Sequence, residues 1–318
     1  MDFILDNLGV IIYATLLFTP PLLFAALGSC FSEVSGVINI GIEGMMVAGA
    51  FTGCTVTYFT NNPWIGFICG GLAGAFFAYL HAIASVKLGA DQTISGTAIN
   101  MLAPGVAVMT CRALFGSTDT IPLDISIKIP LLFADSFDTS THMGMFLSNV
   151  ISNYATTFLV FFLVFVVWFV FYKTRFGLRM RACGEHPHAC ETLGINVIRM
   201  RMICVSISGF LAGLGGASVT MAITNQFRPI SIIGQGFIAI AAVIFGKFKP
   251  QGALLGALLG CLLFGMCTGL KVILGTASPI SPQLISMIPY VVTVVVLILF
   301  VGKSHVPAAN GKPYVKSK

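Results

Sequence analysis

Cys183, His186, His188 and Cys190 fall within eight residues of one another, and thiolates and imidazoles are side chains that hold zinc. Zinc patterns usually separate two ligand pairs by about a dozen residues or more, and Pro187 interrupts this run, so no metal is expected. A second candidate is the pair Asn39 and Glu43, four residues apart and so on one face of a helix. An ionisable group among acyl chains is costly, so Glu43 should face protein or water. It reads either as a residue that lines a pathway or locks helices, or as an interfacial carboxylate that is solvated or hydrogen-bonded to a neighbouring helix. Asn100 and Gln235 add neutral polar groups within apolar runs. Such a lining suits a polar, uncharged solute, although single residues of this kind are more often packing hydrogen bonds. No catalytic triad, paired-carboxylate site, HExxH or GxxxxGK[ST] loop occurs. The chain is therefore not expected to be an enzyme, to hold a cofactor or to hydrolyse ATP itself.

The elements that must position these residues follow from composition. The chain is 57% hydrophobic and 9% charged, with a mean hydropathy of +0.96. Apolar runs near the length that crosses a bilayer as helix recur, and the alternation of a β-barrel is absent. The expected fold class is all-α: a polytopic membrane helical bundle of about nine transmembrane helices (8–10), forming one domain over residues 1–318. The expected spans are 8–28, 37–59, 64–86, 92–113, 150–172, 202–223, 231–246, 251–274 and 283–301. Residues 114–149 form the longest polar connection, and IPLLF (129–133) is too short to span. The 34 glycines permit close helix packing, as in GALLGALLG (252–260). GGLAGAFFA (70–78) and GFLAGLGGA (209–217) echo one another, a faint sign of an internal repeat. The nine cysteines lie mostly inside spans and read as small hydrophobes, not a disulfide framework. The start, MDFILDNLG, lacks a basic region, so no cleavable signal peptide is expected.

Charge then orients the bundle. Residues 173–201, KTRFGLRMRACGEHPHACETLGINVIRMR, carry six of the 17 basic residues between two apolar runs. Lys and Arg are retained in the cytoplasm. With this loop inside and the spans alternating, Lys87, Lys247, Lys249, Lys303, Lys312, Lys316 and Lys318 join it, and 302–318 becomes a cytoplasmic tail. The opposite side keeps Arg112, Lys128, Arg228 and Lys271 beside Asp2, Asp6, Asp119, Asp124, Asp135 and Asp138. The net charge of +6 is thus a topology signal and implies no nucleic acid. GEHPHACETLGIN at the loop's centre reads as a short helix with turns at both ends, fit to be gripped by a cytoplasmic partner.

FSEVSGVINIGIEGMMVAGAF near the start and GLRMRACGEHPHACETLGINVIRMRMICVSISGFLAGLGGA in the middle together resemble the permease subunits of bacterial ABC importers. The branch is that of branched-chain amino acid, ribose and simple-sugar permeases, and the chain looks closest to the nucleoside type. The likeness runs in order over most of residues 20–300. It implies a short coupling helix seated in a groove of a cytoplasmic ABC ATPase. The matching residues are Gly184 to Gly194, with Glu185, Ala189 and Gly194 at recurrent positions and His186, Pro187, Glu191 and Leu193 between them. It further implies a second permease subunit, an extracytoplasmic solute-binding protein and residence in the bacterial cytoplasmic membrane. Related permeases are often assigned ten helices, one more than expected here. A lone secondary transporter should show coupling carboxylates in several spans, and only Glu43 qualifies. A simple sugar is the alternative solute.

Overall fold

The computed structural model describes residues 2–116, 120–123, 127–133, 142–274, 287–288, 291–292, 294–295 and 306–315. In chain order the helices are α1 (Asp2–Val34), α2 (Ile42–Thr60), α3 (Pro63–Ala82), α4 (Gln92–Phe115), α5 (His142–Ile151) and α6 (Ala155–Lys173). They continue with α7 (Arg175–Glu185), α8 (Pro187–Thr192), α9 (Val197–Ser218), α10 (Gln235–Phe245) and α11 (Pro250–Leu274). Their boundaries have local causes. The Asn62 side chain accepts the Trp64 and Ile65 N–H groups while Pro63 opens α3, and Asp91 accepts Ile94 N–H at the start of α4. Gly116, at φ 67°, closes α4 in the left-handed conformation glycine tolerates.

Among the described residues six apolar helical stretches are long enough to cross a membrane: Leu8–Val34, Pro63–Lys87, Gln92–Phe115, Ala155–Lys173, Val197–Thr224 and Pro250–Cys267. The protein is therefore a multi-pass, all-α membrane bundle. The expected count of nine is not reached among the described residues, for three separate reasons. The span expected at 37–59 is shortened: its helix, α2, begins only at Ile42 and carries Glu43 in its first turn. It is enclosed mainly by α3, α4 and α9. The span expected at 231–246 is a half-length helix, preceded by a 3-10 turn over Pro229–Ile232. The span expected at 283–301 falls almost wholly outside the described residues.

The centre of the bundle is made by glycine. A Cβ at Gly213 would strike the Gly70 carbonyl, one at Gly74 the Gly209 carbonyl, and one at Gly49 the Gly213 backbone. Backbones approach this closely where no side chain intervenes, and dispersion between them holds the helices without help from water. The two echoing strings, 70–78 and 209–217, are thus the two faces of one interface between α3 and α9. At the end of the bundle remote from α7 and α8, two short antiparallel pairings tie the long connection down. Ile121–Pro122 pair with Gln226–Phe227, and Leu131–Leu132 with Asn153–Tyr154.

Candidate functional site

Between α1 and α2 the chain leaves helical geometry for seven residues, 35–41, with Gly36 at φ 91°. Inside a bilayer every backbone group must find a protein partner, and here side chains from three helices supply them. Gln92 accepts the Ile38 N–H at 2.7 Å, and His81 Nε2 donates to the Ile38 carbonyl at 3.2 Å. That fixes the neutral ring's proton on Nε2, so Nδ1 accepts the Ser95 hydroxyl at 2.9 Å. Asn100 brackets the far side, donating to the Ile40 carbonyl at 2.9 Å and accepting the Gly44 N–H at 2.7 Å. Ser32 donates to the Val37 carbonyl at 2.6 Å.

Asn39 lies within this break, so it does not share a helical face with Glu43 as expected. The reason is backbone accounting: partners in α3 and α4 make an unwound segment cheaper than a helix there. Asn39 is fully buried and donates to Ser208 of α9 at 3.0 Å. Glu43 sits in the first turn of α2 and accepts the Gly234 N–H at 3.0 Å. Gly234 is the N-cap of α10, in the left-handed conformation at φ 84°. A Cβ at Gly236 would press on the Glu43 backbone and Cβ, so only glycine lets the two helix starts meet. With 11 residues, α10 spans roughly 16 Å, about half the bilayer core. Its Ile238 packs with Leu22, near the middle of α1, and with Cys261. The start of α10 therefore lies inside the bundle, where the Glu43 carboxylate meets an open N–H and the positive end of the helix dipole. Gln235 donates to the Ser231 carbonyl at 2.9 Å, while its buried Oε1 has no partner among the described residues. The structure thus gathers Asn39, Glu43, Asn100 and Gln235 around the break and the start of α10.

The second region is α7 and α8. Thr174 caps α7, accepting the Gly177 N–H at 3.2 Å. The short helix expected between Pro187 and Gly194 is α8, and it is separate from α7 because Pro187 opens it and has no N–H with which to continue α7. Gly184 and Glu185 therefore end α7. Gly184 is packed on the Val34 carbonyl of α1, and Glu185 accepts the Ala308 N–H at 3.2 Å. Glu185 immediately precedes His186, the N-cap of α8. Gly194 does close α8: it has φ 77°, with Gly194 N–H on the Glu191 carbonyl at 2.9 Å and Ile195 N–H on the Cys190 carbonyl at 3.0 Å. His186, His188, Ala189, Thr192, Leu193 and Gly194 are exposed, Leu193 by 78%. Cys183 and Cys190 turn the other way, into a small core with Val197. Burial, then the adjacent Cys190, pushes the Cys183 thiol up to about 12. The four candidate zinc ligands are thus divided between a core and a surface. Among the described residues no group of three metal-ligating side chains forms.

Sequence reasoning missed Arg201, which it placed among the loop's charges. Its side chain is 1% exposed and donates to the carbonyls of Lys312 at 3.1 Å and Ala309 at 3.5 Å. The available signal was its position five residues into α9. An arginine that far inside an apolar helix needs acceptors. Beside α8 an open groove of about 860 Å³ is lined by Gly194, Arg199, Met202, Ile203 and Tyr314, among others.

Residues 11–297 match the family described as the permease component of the branched-chain amino acid transport system. The chain is 42% identical to the guanosine ABC transporter permease protein NupQ of Bacillus subtilis (strain 168), over 99% of each chain. It is 39% identical to the nucleoside ABC transporter permease protein NupC of Lactococcus lactis subsp. cremoris (strain MG1363), again over 99% of each. The putative glucose ABC transporter permease protein TsgC13 of Haloferax volcanii is 32% identical over 87% of each chain. No solved structure matches the chain.

Proposed function

The chain belongs to the family of permease components of branched-chain amino acid transport systems, and from that footing we propose that it is the membrane subunit of an ABC importer for nucleosides. The observation that carries the solute is the end-to-end similarity to a guanosine permease and a nucleoside permease. Charge agrees, because Glu43 is engaged by the start of α10 and an uncharged solute needs no fixed countercharge. A simple sugar is the second reading, favoured by the similarity to TsgC13.

In this reading α7 and α8 face the cytoplasm of a bacterial cell, and α8 is the helix a separate ABC ATPase grips. The exposed residues His186 to Gly194 form that contact, and ATP is hydrolysed on the partner. The Bacillus strain that holds NupQ also has a second similar permease, NupP, 25% identical to this chain, which supports pairing with a sister permease. A solute-binding protein delivers cargo at the opposite face. A push on α8 reaches α7, whose Gly184 abuts the end of α1, and passes into the break at 35–41. The break is joined through Gly44, Glu43 and Gly234 to the start of α10. Asn39, Glu43, Asn100 and Gln235 would thus shape a pathway whose walls move when the ATPase closes. Weak, neutral partners such as Asn39, Asn100 and Gln235 suit a cavity that must release its cargo.

Uptake of radiolabelled guanosine and adenosine by cells with and without this gene tests the solute. Loss of both supports the reading. Loss of ribose or galactose uptake alone would replace it with the sugar reading, and loss of leucine uptake would remove both.

A further inference from the structure

Residues 306–315 form no helix or strand, yet they touch α7, α8, the end of α1 and the break. Ala309 N–H donates to the Gly184 carbonyl at 2.9 Å, and Ala308 N–H to the Glu185 carboxylate. Asn310 donates to Glu33 at the end of α1. Gly311 lies against Ile38 of the break. The buried guanidinium of Arg201 holds the segment from the α9 side through two of its carbonyls. At the far end the Tyr314 hydroxyl donates to Glu191 of α8 at 2.6 Å. Its ring stands 5.3 Å from that of His188 and lies beneath Arg201, whose carbon is 5.9 Å from the ring centre. Burial, and then the carboxylate it donates to, pushes the Tyr314 hydroxyl up to about 12.

From this geometry we infer that segment 306–315 is a positioning element for coupling, with Tyr314 and Asn310 as its positioning residues. It fixes α8 to the end of α1 and the break, so that force on α8 moves them together. Contacts within α7 and α8 could not do this alone. Six-residue α8 is joined to α7 at a proline, and short helices of this size have little rigidity of their own. An Arg buried on carbonyls of one particular segment is expensive unless that segment stays in place, which argues for a strap that travels with α8 and is not released during the cycle. The inference rests on the reading of α8 as the ATPase contact.

The test uses the full importer, reconstituted in proteoliposomes with its ATPase, sister permease and solute-binding protein. Tyr314→Phe keeps the ring and removes only the hydroxyl; Asn310→Ala releases the other end from Glu33. For each, solute uptake per ATP hydrolysed is measured at equal amounts of co-purified complex. A fall of about threefold for each, the size of one hydrogen bond, is expected. In a double-mutant cycle with Glu191→Ala, which leaves the hydroxyl no acceptor, the Tyr314→Phe loss should be mostly absent, since the two act through one bond. Wild-type uptake per ATP in both single variants, or fully additive losses in the cycle, would overturn the inference. Gly194→Val in the same assay separates the two readings. If it couples normally, the α8 docking surface is wrong and the inference falls with it; if it uncouples while both strap variants do not, the docking surface stands and the strap alone is wrong.

Discussion

The break at 35–41 and the α7–α8 segment are built from similar residues, and they use them in opposite ways. Each brings glycine, asparagine and glutamate close together: Gly36 and Asn39 with Glu43 just beyond the break, and Gly184 and Glu185 with Asn196 just beyond α8. In the break these groups are turned inward, and Asn39, Glu43 and Asn100 bond to the protein itself. In α7 and α8 the thiols of Cys183 and Cys190 are buried, while the histidines, Leu193 and Gly194 are left outside. The two glycines that bound the expected coupling helix show the same contrast. Gly184 has no room for a Cβ because the Val34 carbonyl fills the space, whereas Gly194 has nothing within 4 Å and is needed for its positive φ. Buried polar residues in this bundle hold backbone together, because lipid offers no partners. Exposed ones are available to another protein.

This contrast predicts which measurement each substitution will move. The largest effect belongs to the glycine interface at the centre. Gly213→Val would drive a side chain into the Gly70 and Gly74 backbones, and no folded protein should accumulate in the membrane. Normal accumulation would show that the helices are less closely packed than described.

Gly194→Val comes next, and it should leave the protein present but uncoupled. The left-handed cap costs a β-branched residue about 1–3 kcal/mol, confined to an exposed turn. Uptake at normal abundance should fall on the order of tenfold, the usual scale of a lost coupling. Undiminished uptake would remove α8 from the coupling route.

Asn100→Ala should act on stability before activity. It leaves the Gly44 N–H and the Ile40 carbonyl unpaired inside the bundle, at a cost of about 2 kcal/mol. Thermal unfolding in detergent should reveal this as a lower midpoint. Asn100→Asp keeps the acceptor for Gly44 and loses the donor to Ile40. Its loss should be comparable or larger if the buried carboxylate ionises. An unchanged midpoint for Asn100→Ala would mean that the break does not depend on this bracket.

Leu193→Ser sets the lower bound. The side chain is 78% exposed, so stability should change by no more than about 0.5 kcal/mol. Any fall in uptake would then be assigned to the partner surface. A clear drop in thermal midpoint would blur the division between the two regions. Thr192, exposed on α8, is also the position for a topology label. Gly184 is unsuitable, because any side chain there meets the Val34 carbonyl. Labelling of Thr192→Cys from outside intact cells would overturn the proposed orientation.

Much of this protein was decided by local pattern. Runs of apolar residues determine the spanning helices, since any such run must satisfy its own backbone in lipid. Pro187 and Gly194 mark the ends of α8 because one lacks an N–H and the other tolerates positive φ. The two strings that carry the family resemblance lie where the break and the coupling segment lie in space. What local pattern could not decide is which polar group meets which. Glu43 and Gly234 are 191 residues apart, and Arg201 lies 111 residues from its acceptor on Lys312. The period of an apolar run says that a segment is helical, but not where a neighbour's side chain will replace its backbone hydrogen bonds. That is why 37–59 read as one helix and 231–246 as a full span. Only when α3, α4 and α9 supplied partners for Ile38, Asn39 and Ile40, and Glu43 capped α10 within the bundle, did the shorter elements become the more stable arrangement.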